Sequence, residues 1–217
     1  MNVLVIAPHP DDEVIGCGGV IAKHVANKDE VHVCIVSEGQ TDMYSERFIE
    51  EETEEMSKAH EVLGVWTERL GFPSAKLDTV PQHEINDRLT ELVQNLKPDV
   101  VYIPYIGDVH RDHRIVSEAA MVAVRPNKKH KVKRVLAYET LSETDWFTPD
   151  QTFSPNVYVK INDFIGIKIG AFMKYNSQVE MFPGARTPDA IKALAVHRGA
   201  IIGERYAEAF MLMREIG

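Results

Sequence analysis

The chain has 217 residues, 44% of them hydrophobic and 26% charged, enough to bury a sizeable core as one α/β domain. Its 24 Lys and Arg stand against 33 Asp and Glu, a formal net charge of −9. That balance argues against broad nucleic-acid or anionic-membrane binding and for a small partner that is neutral or only locally charged.

Apolar runs at 2–7, 31–36, 66–70, 99–103 and 133–138 read as strands. They alternate with helix candidates at 18–27, 45–63, 82–96 and 113–124; in the third, Ile85, Leu89, Leu92 and Leu96 share one helical face. Such alternation predicts βαβ units and hence a Rossmann-like, mostly parallel sheet flanked by helices, a single domain over 1–217. A strand at 157–161 and helices at 163–177 and 187–202 follow. The last helix has a clear start, with Thr187 as cap, Pro188 at the first helical position and Asp189 in the first turn. After the run at 133–138, the segment 139–160 is the least regular, with Pro149 and Pro155, and reads as loops or short strands forming a lid or recognition loop.

No apolar run approaches the roughly 18 residues of a membrane span. The apolar N-terminal segment is a short strand interrupted by His9 and two aspartates, so no signal peptide is expected and the predicted location is cytoplasmic. Cys17 and Cys34 form no C-x-x-C pair and are expected as buried, reduced thiols. The basic stretch Lys128–Arg134 reads as a solvated loop entering a strand, and Glu50–Glu55 as the solvated face of a helix. No heptad marks a partner surface, and assembly as a homo-oligomer stays open.

Chemistry concentrates at two strand ends. Ala7-Pro8-His9-Pro10-Asp11-Asp12-Glu13 follows the first strand, and Asp108-Val109-His110-Arg111-Asp112-His113 follows the fourth. Loops beyond the carboxyl ends of parallel strands line the ligand crevice of open α/β sheets. A catalytic zinc site needs about three N or O ligands and an open position for water. His9, Asp12 and His113 would supply two imidazoles and a carboxylate. Asp11 would then be free to take a proton from activated water. His110 would stabilise an oxyanion as a cation or serve the leaving group as an acid, with Asp112 orienting it through its other ring nitrogen. The blander readings are helix caps for the aspartates, Asp112 above all, and surface or hydrogen-bonded roles for the histidines. Two such clusters together favour the metal site. The glycines at 16, 18 and 19 miss the G-x-G-x-x-G spacing, and two carboxylates beside them would repel phosphate, so they read as a tight turn with close helix–sheet approach.

HPDDE after a first strand, with H-x-x-D-H after a later one, resembles the LmbE-like or PIG-L family of zinc-dependent N-acetylglucosamine deacetylases. The likeness extends to Leu63-Gly64-Val65, Lys97-Pro98-Asp99-Val100-Val101, Tyr175-Asn176-Ser177-Gln178 and Tyr206-Ala207-Glu208-Ala209-Phe210, in order along the chain. It implies His9, Asp12 and His113 as zinc ligands, Asp11 as general base and His110 as an assisting group, with an amino-sugar substrate. Members of the mycothiol and bacillithiol pathways place a sugar-holding arginine early in the second long helix. Here Glu51 or Glu52 falls near that place, and Arg47, one turn earlier, is the candidate substitute. A tyrosine that assists catalysis in some members has no counterpart before the last helix, where Thr187 stands. Further candidate substrate contacts are Arg186, which would bind a hydroxyl or anion, and Trp146, which would stack on a sugar face. Two rivals use the same ligands: a non-haem iron oxygenase, since His/Asp/His is also its facial triad, and a non-catalytic carbohydrate- or metal-binding protein. The ligand set also accepts Fe²⁺ or another divalent metal.

Overall fold

The computed structural model describes residues 1–146 and 152–217. Its strands are β1 (Asn2–Ala7), β2 (Glu30–Glu38), β3 (Trp66–Pro73), β4 (Val100–Pro104), β5 (Arg134–Tyr138), β6 (Val157–Lys160) and β7 (Ala207–Glu215). They form one sheet in the order β3-β2-β1-β4-β5-β7-β6. The first five are mutually parallel, and β7 runs antiparallel to both β5 and β6. The helices are α1 (Asp12–Ala26), α2 (Glu46–Leu63), α3 (Gln82–Leu96), α4 (Arg111–Ala123), α5 (Ile165–Phe172) and α6 (Pro188–Ile201).

β1 is apolar without interruption because both of its faces are covered. Val3, Val5 and Ala7 enter one core, with Ile15, Ile21, Met56, Phe172 and Ile191 from the helices of that face. Leu4 and Ile6 enter the other, with Ile85, Leu89, Val93, Val116 and Ala120 of α3 and α4. Strand order reverses at β1, which lies between β2 and β4. The chain leaving β1 and the chain leaving β4 therefore open side by side at one crevice, the position where doubly wound sheets bind ligands.

Two expectations change, and one further strand was not expected. The first helix begins at Asp12 and not near 18, so the glycine cluster lies inside α1 and makes no tight turn. Close approach is its purpose: a Cβ on Gly16 would stand 2.2 Å from Tyr138 Cδ2, and one on Gly19 would stand 2.6 Å from Ile161 Cδ1. Packing against the sheet overrides the low helix propensity of glycine. The helix expected at 163–177 is shorter, ending at Phe172. Finally, 207–215 is a strand whose sequence, rich in Ala and Met with a buried Glu208, lacks β-branched residues. Its Glu208 accepts the Gly19 and Val20 N–H groups and the Lys168 ammonium, tying the C-terminus to α1.

Within 139–160, Thr144–Trp146 form a short 3₁₀ turn and 157–160 form β6; the part of the expected lid at 147–151 lies outside the described residues. Cys17 and Cys34 are buried and unbonded, as expected. Among the described residues no helix is long and apolar enough to cross a membrane.

Candidate metal centre and active site

Asp11 is the N-cap of α1, with φ 100° and ψ −31°. This positive φ is costly for any residue but glycine, of order 1–3 kcal/mol, and is tolerated only where surrounding contacts enforce it. Its carbonyl accepts the Val14 and Ile15 N–H groups at 3.0 and 2.9 Å. Its carboxylate does not cap the helix, and Oδ2 is buried without a hydrogen-bond partner. The capping explanation for Asp11 therefore fails. Burial holds its pKa well above the ordinary carboxylate value, opposed by the Arg186 guanidinium, whose Nε lies 3.7 Å from Oδ2.

Asp12 Oδ2 sits between two imidazoles, 3.3 Å from His9 Nδ1 and 3.2 Å from His113 Nε2. Each ring is backed on its far side by a second carboxylate. His9 Nε2 meets Asp112 Oδ2 at 3.1 Å, and His113 Nδ1 meets Asp108 Oδ2 at 2.8 Å. Asp108 is itself held by the Thr144 hydroxyl at 2.7 Å. This carboxylate–imidazole pairing is the usual way in which a ligating histidine is oriented and its free nitrogen made basic.

The expected link from Asp112 to His110 is corrected. His110 caps α4, its Nδ1 accepting the Asp112 backbone N–H at 3.1 Å, so Asp112 is not the cap either. Asp112 sits in the first turn of that helix, and its carboxylate reaches back to His9 and to the N–H groups of Ala75 and Leu77. With Nδ1 an acceptor, the His110 proton sits on Nε2. Burial and the neighbouring His9 and His113 push its pKa down to about 4.

A cation fits here. The ligand atoms of His9, His110 and His113 all lie within 4.8 Å of one another, and Asp12 Oδ1 is buried without a partner. Burial alone would lower the His9 and His113 pKa values, yet the surrounding aspartates raise them to about 9 and about 10. The aspartate field that favours a proton on these rings would equally favour a divalent ion, whose binding would displace such protons. Asp12, despite burial, is held well below the usual carboxylate range by His113 and His9.

Asp11, His9 and His110 open onto a cleft of about 220 Å³ whose wall includes Tyr44, Phe48, Glu52, Gln178 and Arg186. Arg186, a candidate contact from the sequence, lines this cleft and donates to Gln178 Oε1 at 2.9 Å. Arg47 and Trp146 are apart from this wall. Arg47 points to solvent and pairs with Glu51, and Trp146 is 69% exposed. The cleft-facing residues of α2 are instead Phe48 and Glu52, four apart, with burial raising the Glu52 pKa. Glu52 was legible only as an alignment with a missing arginine; Asp108 and Glu13 carried no signal beyond their place in the two clusters.

A mostly parallel sheet that gathers carboxylate-backed imidazoles, a carboxylate between them and a spare carboxylate at its switch point defines an α/β protein with a hydrolase-type metal site. The chain belongs to the PIG-L family, whose model, described as GlcNAc-PI de-N-acetylase, matches residues 4–124. It is similar to the diacetylchitobiose deacetylase of Thermococcus kodakarensis, with 26% identity over 223 residues, 95% of this chain and 81% of that one. It is likewise 26% identical over 196 residues to a probable N-acetyl-alpha-D-glucosaminyl L-malate deacetylase 2 of Bacillus subtilis, covering 82% and 84%. Among solved structures, the conserved protein TT1542 of Thermus thermophilus matches with a TM-score of 0.82 and 31% identity, over 99% of this chain and 96% of that one.

Proposed function

We propose that this protein is a metal-dependent hydrolase that removes the acetyl group from a small N-acetylglucosamine-type sugar or its conjugate. His9, Asp12 and His113 would be the metal ligands, and zinc the resident ion. The observation that carries the reading is the division of labour among the carboxylates: Asp108 and Asp112 each back an imidazole, Asp12 lies between the two rings, and Asp11 is left free. His110 is distinguished from the ligand pair because its far nitrogen takes a backbone N–H and no carboxylate. Two imidazoles and one carboxylate suit zinc with an open position, although Fe²⁺ and other divalent ions tolerate the same donors.

When bound, the metal would polarise the acetamide carbonyl and acidify the attacking water. Asp11 Oδ2 takes the proton from that water, with Arg186 favouring its ionised form. The His110 Nε2–H donates to the oxygen that gains charge as the carbonyl carbon becomes tetrahedral. The proton held by Asp11 then passes to the amide nitrogen, the C–N bond breaks, and acetate and a free amine leave. Tyr44 and Phe48, stacked with ring centroids 5.3 Å apart, supply an apolar wall for a sugar, while Glu52, Gln178 and Arg186 supply acceptors and donors for its hydroxyls. The oxygenase and non-catalytic readings leave the strained, uncapped Asp11 carboxylate without a use. Two buried free thiols suit the reducing interior of a cell, and the cytoplasmic location is part of the proposal.

The test is acetate release from N-acetylglucosamine and N,N′-diacetylchitobiose by the zinc-reconstituted protein. Equal yields of acetate and primary amine are expected from at least one of them. A metal-loaded protein that releases acetate from neither, nor from a wider panel of N-acetylated sugar conjugates, would contradict the proposal.

A further inference from the structure

We infer that Glu13, held by Tyr175 and His60, is a clamp that aims the Asp11 carboxylate by fixing the backbone of Asp11. The inference rests on the hydrolase reading for the role of Asp11. Two side chains behind the cleft wall, one on α2 and one in the chain beyond α5, converge with the Asp11 N–H on one buried carboxylate. Glu13 Oε2 accepts the Asp11 N–H at 3.1 Å, and Glu13 Oε1 accepts the Tyr175 hydroxyl at 2.7 Å. His60 Nε2 lies 3.3 Å from the same Oε1, while its Nδ1 lies 2.6 Å from Thr67 Oγ1 on the neighbouring strand β3. A single tautomer satisfies both contacts: the Thr67 hydroxyl donates to Nδ1, and Nε2–H donates to Glu13. The carboxylate thus has three donors and needs no cation to be tolerated at 0% exposure.

The consequence is geometric. The two peptide groups flanking the Asp11 Cα are both pinned, the N–H by Glu13 and the C=O by Val14 and Ile15. Pinning both fixes φ and ψ, and φ of 100° is a conformation this residue would leave if released. Relaxation to negative φ turns Cβ about the N–Cα bond and carries the carboxylate away from the crevice. Tyr175, from the chain beyond α5, and His60, on α2, therefore act on catalysis without touching substrate. They are positioning residues.

The test uses full-length, zinc-loaded protein with N,N′-diacetylchitobiose as the probe. Tyr175→Phe and Glu13→Gln are each made alone and in an Asp11→Asn background. Alone, Tyr175→Phe is expected to lower kcat about 10-fold and Glu13→Gln about 100-fold, with KM and bound metal within about 2-fold of wild type. In the Asp11→Asn background each should cost less than about 2-fold more, because the group being aimed is gone. Amide hydrogen exchange at Asp11 should be about 10-fold or more faster in Tyr175→Phe, a change that diffuse loss of packing would spread over the whole of α1. Equal rate losses in both backgrounds, or unaltered exchange at Asp11, would overturn the clamp. If Glu13→Gln does not fold, the Tyr175→Phe pair decides. If wild type fails to hydrolyse the disaccharide, the hydrolase reading is what suffers, and the exchange at Asp11 still decides whether the clamp exists.

Discussion

Both ends of the sheet carry histidines bonded to aspartates, and the pairs at the two ends serve different purposes. Before β2, at the amino ends of the strands, Asp29 receives the N-terminal ammonium at 2.8 Å and His24 Nδ1 at 2.7 Å, and the far nitrogen of His24 meets the Tyr102 hydroxyl. Asp99, before β4, is likewise matched by Lys133 and by the Asn2 N–H. At the carboxyl ends, His113–Asp108 and His9–Asp112 look similar as pairs, but they surround Asp11 Oδ2 and Asp12 Oδ1, which are buried without a hydrogen bond, Asp11 facing only the Arg186 guanidinium at 3.7 Å. Matched charge at this half-buried edge costs little and contributes modestly to stability. Unmatched buried carboxylate is expensive, and a fold keeps it where a cation or a proton transfer will use it.

Removing a ligand should break that contrast most severely. His113→Ala is expected to lose its metal, by elemental analysis, and at least about 10³-fold in kcat/KM for acetate release. Taking away a backing carboxylate should do less. Asp112→Asn and Asp108→Asn should each weaken zinc binding about 10–100-fold in a competition titration while leaving the ligands in place. The amino-terminal end should respond only in stability. Lys133 and the Asn2 N–H hold the Asp99 pKa below its ordinary value; Asp29 is held down, against burial, by the N-terminal ammonium and His24. A depressed folded-state pKa stabilises above the unfolded carboxylate value near 3.9, and that stabilisation fades as pH falls through the folded-state value. Asp99→Asn should therefore lower the melting temperature slightly at pH 7 and flatten its fall in acid. Acetate release at neutral pH should stay within about 2-fold of wild type.

The βαβ alternation and the two polar clusters were readable because they are local: a strand covered on both faces is a continuous apolar run, and its polar exit is abrupt. Partnerships across the sheet were not readable. The Asp112 carboxylate bonds His9, 103 positions away, and not the His110 ring two positions away, because strand order brings the β1 and β4 loops together. Helical phase explains Arg47. One residue off the Phe48–Glu52 face, it is turned by about 100° and pairs along its own helix with Glu51. The early start of α1 was hidden by its glycines, whose value lies in contacts with Tyr138 and Ile161 that only the fold supplies. Glu13 offered no pattern of its own, since the donors that define it come from α2 and from the segment after α5.

The most direct measurement is metal content and acetate release on one preparation of Asp11→Asn beside wild type. The account predicts about one metal ion per chain in both and a loss of roughly 10²–10⁴-fold in turnover for the variant, since the free carboxylate moves protons and holds no metal. Near-normal turnover, or loss of the metal together with the rate, would contradict it.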